Sequence, residues 1–195
     1  MLVKMNFADG LQECIYQAKE AQSKIQAEPD PEEKDENSEA QQAQEERIIA
    51  DAMYNSVIRA QYQLERNAVF NVQLSGTTFT SGFFSGNQLF TSNVGDSRVI
   101  LISLDDGPGS TQMANGQNIL AKGVTVDHKP DTPKEKQRVL ARGGKVAQAQ
   151  DWRGRFSGPQ RVWVKNINSP GLAMSRSLGD TVAHSVGCST EPDIT

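Results

Sequence analysis

The stretch QLFTSNVGDSRVILIS, residues 88–103, decides how the rest of the chain is read. An apolar, β-branched run stops at Asn93 and passes through Gly95-Asp96. Arg98 follows two residues after the acid, and a second apolar run begins. Residues of this kind favour strands, and a Gly-Asp pair favours a turn between them. Asp96 then has two readings. It is either a turn residue satisfying backbone amides or a carboxylate held at the rim of a sheet for chemical use. Arg98 reads as the ion-pair partner of a nearby carboxylate.

Working outward, SGTTFTSGFFSGNQLF (75–90) carries Gly86-Asn87, a two-residue hairpin turn. Three strands are expected, at about 76–84, 88–94 and 98–104, running up, down and up. Gly76 and Gly82 are expected to share a face of the first strand and leave room for a close approach. DDGPGSTQMANGQN (105–118) is a polar excursion, and ILAKGVTVDHK (119–129) reads as another strand or hairpin. In TPKEKQRVLARGG (132–144), Asp131 or Thr132 caps a short helix, Pro133 opens it and Gly143-Gly144 ends it, with Val139 and Leu140 facing inward. Residues 147–169 show no clear period apart from a strand in RVWVKNI.

The first 70 residues read differently. Leu11, Ile15, Ala18, Gln22 and Ile25 recur at helical spacing, as do Ile49, Met53, Val57, Ala60 and Leu64. Between them, EPDPEEKDENSEAQQAQEE (28–46) has two prolines, many acids and almost no apolar side chain. It is expected to be a mobile acidic linker running into a helix start, solvated or docking a basic partner.

Composition bounds the function. The chain has 195 residues, 36% of them hydrophobic, and a formal net charge of −4. The pI is near 5.3 and the mean hydropathy −0.55. This acidity argues against nucleic acid and anionic membrane as partners. No apolar run approaches the ~20 residues of a membrane helix, and MLVKMNFADG meets Asp9 before a signal core can form. Cys14 and Cys188 read as free thiols in an intracellular, reducing setting rather than as a disulfide. His128 is expected to fix the corner at DHKP, with Asp127 as a cap or turn residue. His184 has no identifiable partner, Asp180 reads as structural, and no base is seen beside Ser175 or Ser177.

SGTT (75–78), NVGDSR (93–98), TVDHKP (125–130), ARGG (141–144), GLAMSRSLGD (171–180) and EPDIT (191–195) occur in this order. The set resembles the metal-dependent protein serine/threonine phosphatases of type 2C. The resemblance covers residues 75–195 and extends to the helix over 48–70, while residues 1–47 match only loosely. It implies an α+β fold: a partial antiparallel β-sandwich flanked by helices, preceded by a helix and acidic linker in 1–47. It also implies a partial phosphatase domain over 48–195, with the family's flap at about 147–169. In the family, Mg²⁺ or Mn²⁺ ions at one end of the sandwich activate a water that attacks phosphoserine or phosphothreonine in proteins.

By this resemblance Asp96 corresponds to an aspartate that helps hold a third, weaker metal, and Arg153, Arg155 and Arg161 lie in the substrate-proximal flap. No catalytic residue carries over. The Asp-Gly-His-Gly-Gly motif, the Asp-Gly-Leu/Ile-Trp motif, the Asp-Asn pair and the phosphate-binding arginine of the family are not found in this chain. The expectation is an internal piece of the domain with weak or absent metal binding. Two roles stand: a phosphatase, or a catalytically incomplete binding module, with a partner chain completing its sheet.

Overall fold

The computed structural model describes residues 12, 15, 16, 20, 34–67, 69, 71–105 and 107–195. Helix α1 spans Lys34–Arg66, 33 residues and so about 50 Å at 1.5 Å per residue. The expected apolar stripe is there: Ile49, Met53, Val57 and Ala60 are buried, and Leu64 packs at the end of the stripe. The helix begins well inside the stretch expected as a linker. SEAQQAQEE is rich in Ala, Gln and Glu, all good helix formers, and this propensity prevails over low hydrophobicity. Glu45 and Glu46 are also tied down, accepting hydrogen bonds from Ser85 Oγ (3.3 Å) and Gln88 Nε2 (2.6 Å). Ile15 is buried against Ile49 and Met53. The rest of the first apolar stripe, the remainder of the acidic stretch and Cys14 lie outside the described residues.

The strands are all antiparallel in their sheets. β1 (Gly76–Thr77) is followed by β2 (Phe79–Ser85), β3 (Gln88–Val94), β4 (Ile100–Leu104), β5 (Thr111–Gln112) and β6 (Asn118–Gly123). Then come helix α2 (Pro133–Ala141), β7 (Gly144–Gln150), β8 (Phe156–Val164), β9 (Pro170–Leu172), β10 (Leu178–Gly179), the short helix α3 (Thr181–His184) and β11 (Asp193–Ile194). The sheets read β1-β10, β11-β3-β2, β4-β6-β5 and β7-β8-β9. The class is α+β.

The Gly86-Asn87 hairpin is as expected, with Ser85 opposite Gln88. Other local readings change. β3 does not turn back into β4 at Gly95-Asp96. Its free edge takes β11 from the far end of the chain, and β4 joins a separate sheet. Gly76 and Gly82 fall in different sheets; a Cβ added at Gly76 would run into Asp180, whereas one added at Gly82 would stand 3.4 Å from Leu89 Cδ1. Thr132 has N-cap geometry but makes no side-chain capping bond. Val139 is buried, whereas Leu140 is 51% exposed. The unpatterned region from 147 is largely a long β7–β8 hairpin with a register shift at Gln148/Ala149.

Helices cover three parts of the sheet system. Phe83, Phe90 and Ile194 pack on the middle of α1, and Phe79, Val94 and Leu178 nearer its C-terminal end. Val139 of α2 and Ala183 of α3 cover Val146, Val162, Val164 and Leu172. β4 is different: all five of its residues are exposed, Leu104 by 72%. No described helix is long and apolar enough to cross a membrane.

Candidate functional site

The opening stretch ends at a laced corner. Gly95 adopts φ +103°, and a Cβ there would stand 2.5 Å from Thr78 Cγ2, so only glycine fits. Segment 93–98 is bound to segment 125–129 along its length. The Gly95 N–H donates to His128 Nδ1 (3.0 Å), and the His128 N–H donates to the Gly95 carbonyl (2.9 Å). Asn93 Nδ2 donates to the carbonyls of Gly95 (3.2 Å) and Val126 (2.9 Å). Thr78 Oγ1 and Ser97 Oγ share a hydrogen bond at 2.7 Å. The Val99 N–H reaches Thr125 Oγ1 (2.9 Å).

Each charged group of the corner has a partner. Arg98 grips Asp127 through Nε and Nη2, both at 2.9 Å. The hydrogen bonds from Arg98, helped by the neighbouring positive charges, hold the Asp127 carboxyl below the usual range against the opposing effect of burial. The Lys129 ammonium is hydrogen-bonded to Asp96 Oδ2. Asp96 thus points from the corner into half-exposed space with a cation already on it.

Behind the corner lies a buried ion network that the sequence did not disclose. Glu135, 3% exposed, receives Arg138 Nη1 and Nη2 at 2.8 and 2.6 Å. It also receives Arg176 Nη2 (2.9 Å) and Ser175 Oγ (2.5 Å). Burial by itself would raise this carboxyl; the hydrogen bonds from Arg138, Arg176 and Ser175 outweigh it and bring it down to about 2. Arg176 continues to Asp193 Oδ1 (2.7 Å), and Asp193 Oδ2 meets His128 Nε2 (3.0 Å). The Glu135–Arg138 spacing of three was legible in α2. Its burial and its second arginine, 41 residues downstream, were not.

The structure places the remaining candidates apart from one another in role. In the β7–β8 hairpin tip, Arg153 stacks over Trp152, 4.4 Å from the ring centroid. Arg155 pairs with Asp151 (2.9 Å), which also takes the N–H groups of Arg153 and Arg155. Arg161 donates to the Gly171 carbonyl (2.7 Å). His184, expected to be without a partner, sits with Nε2 3.0 Å from the Ser177 carbonyl oxygen. Burial lowers its pKa and raises that of Asp180. Ser175 Oγ is committed to Glu135, and Ser177 Oγ lies 3.4 Å from His184 Nε2, at the far limit of a hydrogen bond.

The sequence profile of the family described as protein phosphatase 2C matches residues 13–195. The chain belongs to the protein phosphatase 2C family. Relatives include probable protein phosphatase 2C 12 of Oryza sativa subsp. japonica, 40% identical over 121 residues, which are 62% of this chain and 28% of that protein. Probable protein phosphatase 2C 34 of Arabidopsis thaliana is 35% identical over 133 residues, 68% of this chain and 34% of that protein. Among solved structures, the serine-threonine phosphatase 2C from Toxoplasma gondii has the same fold. Its TM-score is 0.63 at 20% identity, covering 97% of this chain and 57% of that one. The chain spans about a quarter to a third of the length of the curated relatives it matches.

Protein phosphatase 2C enzymes depend on divalent metal, and the residues of this phosphatase 2C chain can be tested against that need. Mg²⁺ and Mn²⁺ take oxygen donors, and a phosphoryl-transfer pair of ions needs several converging carboxylates. Among the described residues no group of three or more His, Cys, Asp or Glu side chains could hold a metal ion, and Asp96 is engaged by Lys129. The described residues do not fit a pair of divalent cations.

Proposed function

We propose that the protein containing this chain is a Mg²⁺- or Mn²⁺-dependent protein serine/threonine phosphatase, acting on phosphoserine and phosphothreonine in proteins. Asp96 is then one of its metal-holding acids. The reading is carried by the match to the phosphatase 2C family over residues 13–195. The corner geometry supports it, because a glycine-only turn clamped by His128 carries the partly exposed Asp96 carboxylate. The expected result for the natural gene product is Mn²⁺-stimulated hydrolysis of a phosphoserine peptide, cut tenfold or more by Asp96→Asn. Equal rates for the two would contradict the role given to Asp96.

One observation favours a second reading for the 195 residues taken by themselves: the only family acid matched at the corner is neutralised by Lys129. Here the chain binds phosphoprotein without cleaving it. The hairpin tip is the docking element in either case, with Arg153 held out by its stack on Trp152, Arg155 bracing the loop and Arg161 tying β8 to the Gly171 carbonyl of β9. An intracellular setting accords with the buried free thiol of Cys188, which burial pushes up to about 12.

A partner strand completes the sheet at β4, whose Ile100, Ile102 and Leu104 are each more than half exposed. Sedimentation velocity is expected to show concentration-dependent association of the chain, weakened by Ile102→Glu. A monomer at every concentration would count against the partner.

A further inference from the structure

We propose that His128 is the positioning residue of the Asp96 corner, holding it through the Gly95 peptide, with Asp193 and Arg176 in turn holding the imidazole. The functional weight of this rests on the reading of Asp96 as a working acid; the geometry does not.

His128 takes both polar groups of one peptide residue. Its ring Nδ1 accepts the Gly95 N–H, and its own N–H donates to the Gly95 carbonyl. An accepting Nδ1 carries no proton. The ring proton therefore sits on Nε2 and is donated to Asp193 Oδ2. The ring is 3% exposed and so is shielded from bulk water. Asp193 is kept in place by Arg176 Nη1 (2.7 Å), which also donates to the Glu191 carbonyl (2.8 Å). The rest of that guanidinium is anchored on Glu135. The His128 carbonyl accepts the Ser175 N–H (2.9 Å). Segments 93–98 and 191–193 thus meet on the imidazole, while segment 175–176 holds the His128 backbone carbonyl and the Asp193 carboxylate.

The direction of the Asp96 side chain follows from the backbone angles at Gly95 and Asp96. Thr78 and the Arg176 carbonyl occupy the space a Cβ on Gly95 would need. The next residue, Lys129, takes the Asp96 carboxylate itself. Consecutive residues of DHKP therefore fix the peptide and the carboxylate of one acid. A histidine that merely filled space would need neither a defined tautomer nor Asp193.

Nuclear magnetic resonance on the 195-residue chain tests this. The imidazole ¹⁵N pattern of His128 is expected to show the proton on Nε2; a proton on Nδ1 overturns the proposal without any variant being made. In His128→Ala, amide exchange at Gly95 is expected to rise at least tenfold and the Asp96 carboxylate ¹³C signal to shift, while β7 and β8 amides keep their rates. His128→Asn, whose Oδ1 can accept the Gly95 N–H, is expected to recover most of the protection. Unchanged Gly95 exchange in His128→Ala, or no recovery with asparagine, overturns the positioning role. Asp96→Asn separates the two ideas. It should leave Gly95 exchange alone, so turnover of the natural gene product unaffected by Asp96→Asn would remove the metal role and leave the clamp standing.

Discussion

Glu135→Ala is expected to destabilise the chain by about 3 kcal/mol, read as a lower denaturation midpoint with unchanged slope. The carboxylate is the common partner of Arg138 and Arg176, and both would be left without it. The figure sits at the low end for a broken buried pair. Arg138 is 28% exposed and can turn toward water, and Arg176 keeps Asp193. The pH dependence follows from the same group. Its carboxyl lies at about 2 in the fold and at 4.5 ordinarily. Its contribution is complete above pH 4.5 and is lost as pH falls from there toward 2. Acid unfolding followed by tryptophan fluorescence should begin in that window, and Glu135→Gln should flatten the slope. A loss under about 1 kcal/mol for the alanine variant would place Glu135 among ordinary surface ion pairs.

Gly76→Ala carries the second large effect. An added Cβ would lie 2.0 Å from Asp180 Oδ2 and 2.5 Å from the Leu178 carbonyl. The carboxylate is buried and the carbonyl belongs to the partner strand β10, so neither can give way cheaply. The β1–β10 pair, in which Gly76 faces Gly179, would have to open. Overpacking of this kind costs about 3 kcal/mol or more, which for a chain of this size lowers the melting temperature by roughly 6–12 °C. Gly82→Ala is the control. Its nearest contact would be Leu89 at 3.4 Å, and it should melt within about 2 °C of the parent. Equal losses for the two glycines would mean that backbone entropy, not the Asp180 contact, sets the cost.

These two sites show what the sequence could and could not disclose. Local features were readable. Gly86-Asn87 turns the chain because the turn needs only its own residues, and the stripe from Ile49 to Leu64 is buried because one period organises it. Readings failed where a distant segment decides. Gly76 matters through Asp180, and β3 takes β11 rather than β4 at its free edge. Glu135 looks like a surface helix acid until Arg176 arrives across forty residues. The start of α1 is hidden for another reason: the acids around it suggest a solvated linker, while the helix propensity of Ala, Gln and Glu prevails.

At the site, the structural part of His128 was legible from DHKP. Lys129 on Asp96 was not, because ion pairing across 33 residues leaves no local pattern. The stacking of Arg153 on Trp152 was likewise hidden in a stretch with no period.

Among the described residues no group of three or more His, Cys, Asp or Glu side chains converges to hold a divalent metal, and Asp96 is already paired with Lys129. Calorimetric titration of the 195-residue chain with Mn²⁺, beside a phosphopeptide hydrolysis assay, tests it most directly. The account predicts at most one weak site, abolished by Asp96→Asn, and no metal-stimulated turnover by the chain alone. Two tightly bound Mn²⁺ ions per chain together with hydrolysis would contradict it.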